Sequence, residues 1–138
     1  GRIPMNIRTA GPGDLPALAR LDRHIAPQEL ETRVRLGRVY AAEERGRLAG
    51  WLRWNLFWDN TPFMNLLFVL DGSRGRGLGR ALAGHWEAEM RQAGYETVMT
   101  STQSRECAQH FYERLGYEAV GGFLPPGEGY ELMFVKNL

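Results

Sequence analysis

Two different periods run along the 138 residues. Leu78, Leu82, Trp86 and Met90 recur every four residues, the spacing that lays one apolar stripe along a helix over residues 77–93, closed by Gly94. Residues 48–58 alternate instead. Leu48, Gly50, Leu52, Trp54, Leu56 and Trp58 share one face of a strand, with Trp51, Arg53, Asn55 and Phe57 on the other. Residues 63–70 are apolar on both faces except for Asn65, which reads as a central strand. Residues 5–10 form a first strand, and Gly-Pro-Gly-Asp turns the chain at 11–14 with Asp14 placed to cap a helix bearing Leu15, Leu18, Ala19 and Leu21. Pro27 opens a second helix that Gly37 stops, and residues 39–43 return as a strand. Turn clusters at 44–47 and 58–62 bound the alternating strand. Further on, 95–102 is rich in β-formers, Ser104 is placed to cap a helix through Leu115, and 117–123 and 130–136 close as strands around Leu-Pro-Pro-Gly-Glu-Gly.

The predicted order is β-α-α-β-β-β-α-β-α-β-β, read as a single domain over residues 5–138; Gly1 to Pro4 read as an expression-vector remnant. Strand 63–70, helix 77–93 and strand 95–100 make a βαβ unit, so those strands should run parallel with a right-handed crossover. Seventeen Lys and Arg face 16 Asp and Glu, a net charge of +1, and so exert no bulk pull on nucleic acid. The basic component is local: Arg74, Arg76 and Arg80 fall within seven residues. A lone cysteine, Cys107, excludes an internal disulfide and fits a reducing compartment, so a cytoplasmic location is expected. No apolar run approaches the roughly 20 residues of a membrane span, and no signal-peptide core opens the chain.

The arginines share their stretch with glycines: residues 69–79 read VLDGSRGRGLG. A turn would need one glycine. A phosphate-binding Walker loop fails here because no lysine is followed by Ser or Thr, and a dinucleotide fingerprint fails on spacing. A compact anion cradle fits better. Gly75, Gly77 and Gly79 would let backbone N–H groups face a phosphate while the next helix presents its positive end. A glycine-rich turn beside solvated arginines remains the alternative on the loop alone.

The run R-G-R-G-L-G (74–79) fits R-x-x-G-x-G, and AQHFYERLGY (108–117) is similar to A-x-x-x-Y-x-x-x-G-[FY]. With both motifs in the expected elements, the chain resembles the GNAT-type N-acetyltransferases over essentially its whole length. Stretches 55–65 and 100–104 look like small bacterial members without an assigned substrate. The resemblance implies an α+β, three-layer α/β/α fold with a mixed, mostly antiparallel seven-stranded sheet. Its fourth and fifth strands would form a splayed parallel pair, the acyl-CoA N-acyltransferase fold. It further implies acetyl-CoA as cosubstrate and no metal. A primary amine of a small molecule or protein would be the acceptor, attacked directly in a ternary complex. Nucleic acid and membrane are not expected partners, and a homodimer is left open.

Carried onto this sequence, the loop residues Arg74, Gly75, Arg76, Gly77, Leu78, Gly79 and Arg80 would hold the pyrophosphate. Leu67, Phe68 and Val69 would border the pantetheine arm, with an amide of Val69 or its neighbour polarising the thioester carbonyl. Tyr112 takes the general-acid position: a phenol of pKa near 10 can protonate a thiolate of reference pKa near 8.5. Its other reading is a half-buried aromatic on an amphipathic helix beside the core residues Phe111 and Leu115. Asn65 stands where many members carry a carboxylate, and an amide accepts no proton at neutral pH; it would orient a water or the acceptor, or serve structure. This keeps a catalytically inactive CoA-binding sensor open as a second function. Glu43 and Asp59 are secondary candidates for a proton relay. His24, His85 and His110 are scattered, and Cys107 reads as a small core residue. Trp51, Trp54, Phe57 and Trp58 read as core or as an acceptor-pocket lining, and Arg105 stands where relatives carry asparagine.

Overall fold

A computed structural model describes residues 4–104 and 108–138. Its elements are β1 (Met5–Thr9), a 3-10 turn (Pro12–Asp14), α1 (Leu15–Leu21), α2 (Pro27–Arg35), β2 (Val39–Glu44), β3 (Arg47–Phe57) and β4 (Thr61–Val69). A second 3-10 turn (Asp71–Ser73) leads to α3 (Leu78–Gln92), β5 (Thr97–Gln103), α4 (Ala108–Arg114), β6 (Glu118–Phe123) and β7 (Glu131–Asn137). The order matches the one read from the pattern. The seven strands form one mixed sheet, β1-β2-β3-β4-β5-β7-β6, in which β4 and β5 are parallel. The expectations for Arg105 and Cys107, and the first turn expected after Ser104, lie outside the described residues.

The chain divides into two compact units. The first runs to Asn55 and resumes over Leu66–Trp86; the second takes Leu56–Asn65 and Glu87–Leu138. In the first unit, β1, β2 and β3 pair antiparallel, with a register shift between Ala42 and Glu43. Leu18 of α1, Leu30 and Val34 of α2, Val39 and Ala41 of β2, and Trp51 of β3 make its core, with Leu66 and Phe68 of β4 packed against them. Asp14 does not cap α1 with its side chain. Its carboxylate instead takes two hydrogen bonds from Arg8, both at 2.7 Å, and one from the Gly11 amide at 2.8 Å. Glu43 is also held by Arg8.

Strand β3 departs from a simple alternation. Residues 49–54 are buried on both faces, because the polar residue of the second face, Arg53, has a buried partner in Asp22. Trp58 is not part of the strand face: it sits in the following turn with φ 53° and is 81% exposed. Gly50 is required by close approach. A Cβ there would lie 2.7 Å from the Phe68 carbonyl oxygen and 3.4 Å from the Val69 Cα.

In the second unit β7 lies between β5 and β6, antiparallel to both, and β5 buries every second residue: Val98, Thr100 and Thr102. The parallel ladder comprises Phe63↔Met99 and Met64↔Thr100. Strand β6 is exposed along its whole length.

Candidate active site

The loop after β4 starts tied down. The Leu70 amide donates to the Ala49 carbonyl at 2.8 Å, and Ser73 N–H closes the short turn on Leu70 at 2.8 Å. Gly75 and Gly77 then adopt φ of 81° and 83°, which L side chains rarely do. A Cβ at either would meet nothing within 4 Å, so the glycines serve backbone conformation and leave the surface open above them. Gly79 differs, lying in the first turn of α3. That helix closes its first bond from Ala81 N–H to Gly77 C=O at 3.0 Å. The amides of Leu78, Gly79 and Arg80 therefore have no intrahelical acceptor and stand at the positive end of a 15-residue helix. Leu78, fully buried with Leu82 and Ala83, roots that turn in the core.

The arginines have separate settings. Arg74 folds back on β4: its Nε donates to the Val69 carbonyl at 3.0 Å and its guanidinium stands 5.7 Å from the Phe68 ring centre. Arg76 grips Glu44 of β2 at 2.6 and 3.0 Å and the Gly72 carbonyl at 3.1 Å. The Arg76 hydrogen bond, then that of Ser73, holds the Glu44 carboxyl below its usual range. Arg76 thus latches the loop to β2, a role the motif spacing did not reveal. Arg80 is exposed. Of the strand residues expected beside the cofactor, Leu67, Phe68 and Val69 are half-buried on β4, and Phe68 stacks on Trp51 at 5.0 Å.

In the second unit, Asn65 is exposed and is the first β4 residue beyond the ladder. Thr100 Oγ1 donates to the Met64 carbonyl at 3.0 Å, capping the last paired residue with a side chain. Tyr112 is 7% exposed and rings with Phe111, Tyr117 and Phe134 at 5.3, 5.7 and 5.9 Å. The burial on α4 differs from expectation: Tyr112 faces the core, while Phe111 and Leu115 are only partly covered. Beside Tyr112 lies a cluster the sequence reading passed over. The Tyr117 hydroxyl donates to Glu87 at 2.9 Å, and Lys136 Nζ reaches the other Glu87 oxygen at 2.6 Å. Burial first, and the Glu87 charge second, push the Tyr117 phenol well above its ordinary pKa.

The tryptophans separate by role. Trp51 is buried and donates to Asp22 at 3.1 Å; Trp54 is buried with the Arg38 guanidinium 5.0 Å over its ring. Phe57 stacks on both Trp58 and Phe63 at the β3–β4 turn, where Asp59 also sits, with φ 63°. Asp22 takes two hydrogen bonds from Arg53, at 2.7 and 3.3 Å. An arginine inside the apolar run LAGWLRWNLF was the available signal, since such a charge must find a buried partner.

The sequence pattern of the Acetyltransferase (GNAT) family matches residues 13–117. A blasticidin-S acetyltransferase from Streptomyces morookaense is 35% identical over 103 residues, covering 72% of this chain and 74% of the relative. Among solved structures, Ard1 from Thermoplasma volcanium superposes with a TM-score of 0.86 at 15% identity, covering 97% of each chain. The N-acetylglutamate synthase of Neisseria gonorrhoeae, complexed with coenzyme A and N-acetyl-glutamate, gives 0.83 at 20% identity; it covers all of this chain and 36% of the synthase. The chain belongs to the GNAT acetyltransferase family. It is an N-acetyltransferase of the acetyl-CoA-dependent class on a seven-stranded mixed sheet with a parallel β4/β5 pair.

Proposed function

We propose that residues 5–138 work as one domain that moves an acetyl group from acetyl-CoA to a primary amine by direct attack, without an acyl-enzyme. The carrying observation is the loop: two glycines at positive φ, clear of any neighbour, opening a helix whose first amides have no acceptor within the helix. This cradle suits a pyrophosphate, with Gly75, Gly77, Leu78, Gly79 and Arg80 contributing chiefly main-chain groups. Arg76 holds the loop in shape through Glu44. Bound acetyl-CoA supplies an activated acyl group on a thiol leaving group. Leu67, Phe68 and Val69 would line its arm. The N–H of Val69 or of its neighbour would polarise the thioester carbonyl. Tyr112 would deliver a proton to the departing sulfur, and Asn65 would orient the incoming amine through its amide oxygen. The single cysteine supports a cytoplasmic setting.

An amide at position 65 favours one rival, a CoA-binding domain without turnover. A screen of primary amines, blasticidin S among them, that follows thiol release from acetyl-CoA separates the two. Acceptor-dependent release supports the transferase. Tight CoA binding with no release under any amine supports the sensor.

A further inference from the structure

An open cleft of about 720 Å³ lies beside the loop, wholly within the first unit. It is lined by Gly72, Ser73 and Arg76 of the loop and by Glu44, Arg45 and Arg47 around the β2–β3 turn. Three arginines and one glutamate thus border it, and the glutamate carboxylate is already engaged by Arg76. The charge of Arg45 and Arg47 is left over, on two exposed residues.

The turn itself is unusual in its choice of residue. Arg45 and Gly46 have φ of 52° and 75°, the left-handed pair of a two-residue hairpin turn. Its first position favours Asn, Asp or Gly, and a long side chain there carries a conformational cost. Such costs persist where the side chain is needed for something else. Arg45 borders this cleft together with Arg47 and the loop.

We infer that the cleft binds a phosphate monoester next to the anion on the loop, with Arg45 and Arg47 as its ligands. A monoester near neutral pH carries close to two negative charges, matching the surplus of two, and its three oxygens suit forked guanidinium donors. The inference rests on the reading of the loop as a pyrophosphate cradle. Acetyl-CoA carries such a group, the ribose 3′-phosphate, on the nucleotide joined to that pyrophosphate. A separate phosphorylated metabolite offers the same chemistry.

Calorimetry on the full chain distinguishes them. Coenzyme A and 3′-dephospho-coenzyme A are titrated into wild type, Arg45→Asn and Arg47→Gln; inorganic phosphate is titrated into each protein saturated with 3′-dephospho-coenzyme A. With the 3′-phosphate in the cleft, wild type prefers coenzyme A tenfold or more, and each variant loses most of that preference while its affinity for the dephospho form is unchanged. Arg45→Asn should also melt about 1–3 °C higher, because asparagine suits the turn. Equal binding of both coenzymes, with inorganic phosphate bound by wild type and lost in Arg45→Asn, assigns the cleft to a separate phosphate. Equal binding with no phosphate effect overturns the inference. Failure of both coenzymes to bind wild type overturns the loop reading instead, and the phosphate titration, repeated without coenzyme, still decides the cleft.

Discussion

The segments 74–79 and 108–117 carry the two family motifs, yet they are built on opposite principles. The loop keeps most of its side chains in solvent and puts its information into main-chain torsions, with Gly75 and Gly77 left-handed and unobstructed. The helix segment buries its informative residue. Tyr112 is surrounded by Phe111, Tyr117 and Phe134. A change in the loop should therefore register in ligand affinity with little effect on folding. A change on the helix has to be subtle, or it will report on packing instead of chemistry.

The largest expected effect is on the helix. Tyr112→Phe keeps the ring and removes the hydroxyl, so kcat should fall by about 10²–10⁴ while KM for acetyl-CoA stays near wild type. Tyr112→Ala should instead lower unfolding free energy by about 3–5 kcal/mol, as for other buried aromatics. Denaturant titration beside steady-state kinetics separates the two outcomes. Wild-type turnover by Tyr112→Phe, with chemistry limiting, would reduce Tyr112 to a packing residue.

The loop comes next. Gly77→Val places a β-branched residue at φ 83°, so the cradle should lose its shape. Acetyl-CoA affinity should drop tenfold or more, about 1.4 kcal/mol, with the circular dichroism spectrum retained. Gly77→Asn, which tolerates the left-handed region, should recover much of the loss. A folded Gly77→Val with unchanged affinity by calorimetry would remove the contrast between the segments.

A smaller effect tests whether side chains in the loop act by shaping it. Glu44→Gln breaks the charge of the Arg76 latch and should weaken acetyl-CoA binding about two- to fivefold, the scale of an ion pair whose arginine is still partly in solvent. The pH dependence has a definite sign. Arg76 depresses the Glu44 carboxyl, so the latch is fully present above the ordinary carboxylate range and is lost as pH falls through the lowered value. The ratio of wild-type to Glu44→Gln affinity, which isolates the latch from the titration of the ligand's own phosphates, should then be flat through neutral pH and fall towards one only below the ordinary carboxylate range.

Much of this was legible because the governing signals are local. The four-residue recurrence in α3 and the doubly apolar β4 each follow from a period that one element satisfies by itself. What stayed hidden depends on residues far apart in sequence. Asp22 and Arg53, Arg76 and Glu44, and Glu87 with Tyr117 and Lys136 are polar pairings separated by about 30 residues or more. A sequence shows that Arg53 needs a partner without saying which carboxylate arrives. The torsions at Arg45 and Trp58 were hidden for another reason: neither residue type favours the left-handed region, so the turns were legible and these two conformations were not.

Asn65 should give the smallest effect and the sharpest mechanistic answer. It is exposed on β4 just past Met64, whose carbonyl is taken by Thr100. Its amide neither gains nor loses a net proton near neutral pH, so its contribution is limited to a hydrogen bond in a wet setting. Asn65→Ala should therefore lower kcat/KM by about two- to threefold, the low end for such a bond. The rise of kcat/KM with pH should keep its midpoint, because that midpoint belongs to the acceptor amine losing its proton. Asn65→Asp supplies the control: a carboxylate there adds a titrating group, and a second inflection on the acid side would mark the position as able to serve as a base. If Asn65→Ala itself moves the midpoint, the amide is coupled to a titrating residue of the enzyme, and proton removal from the amine is assisted by the protein.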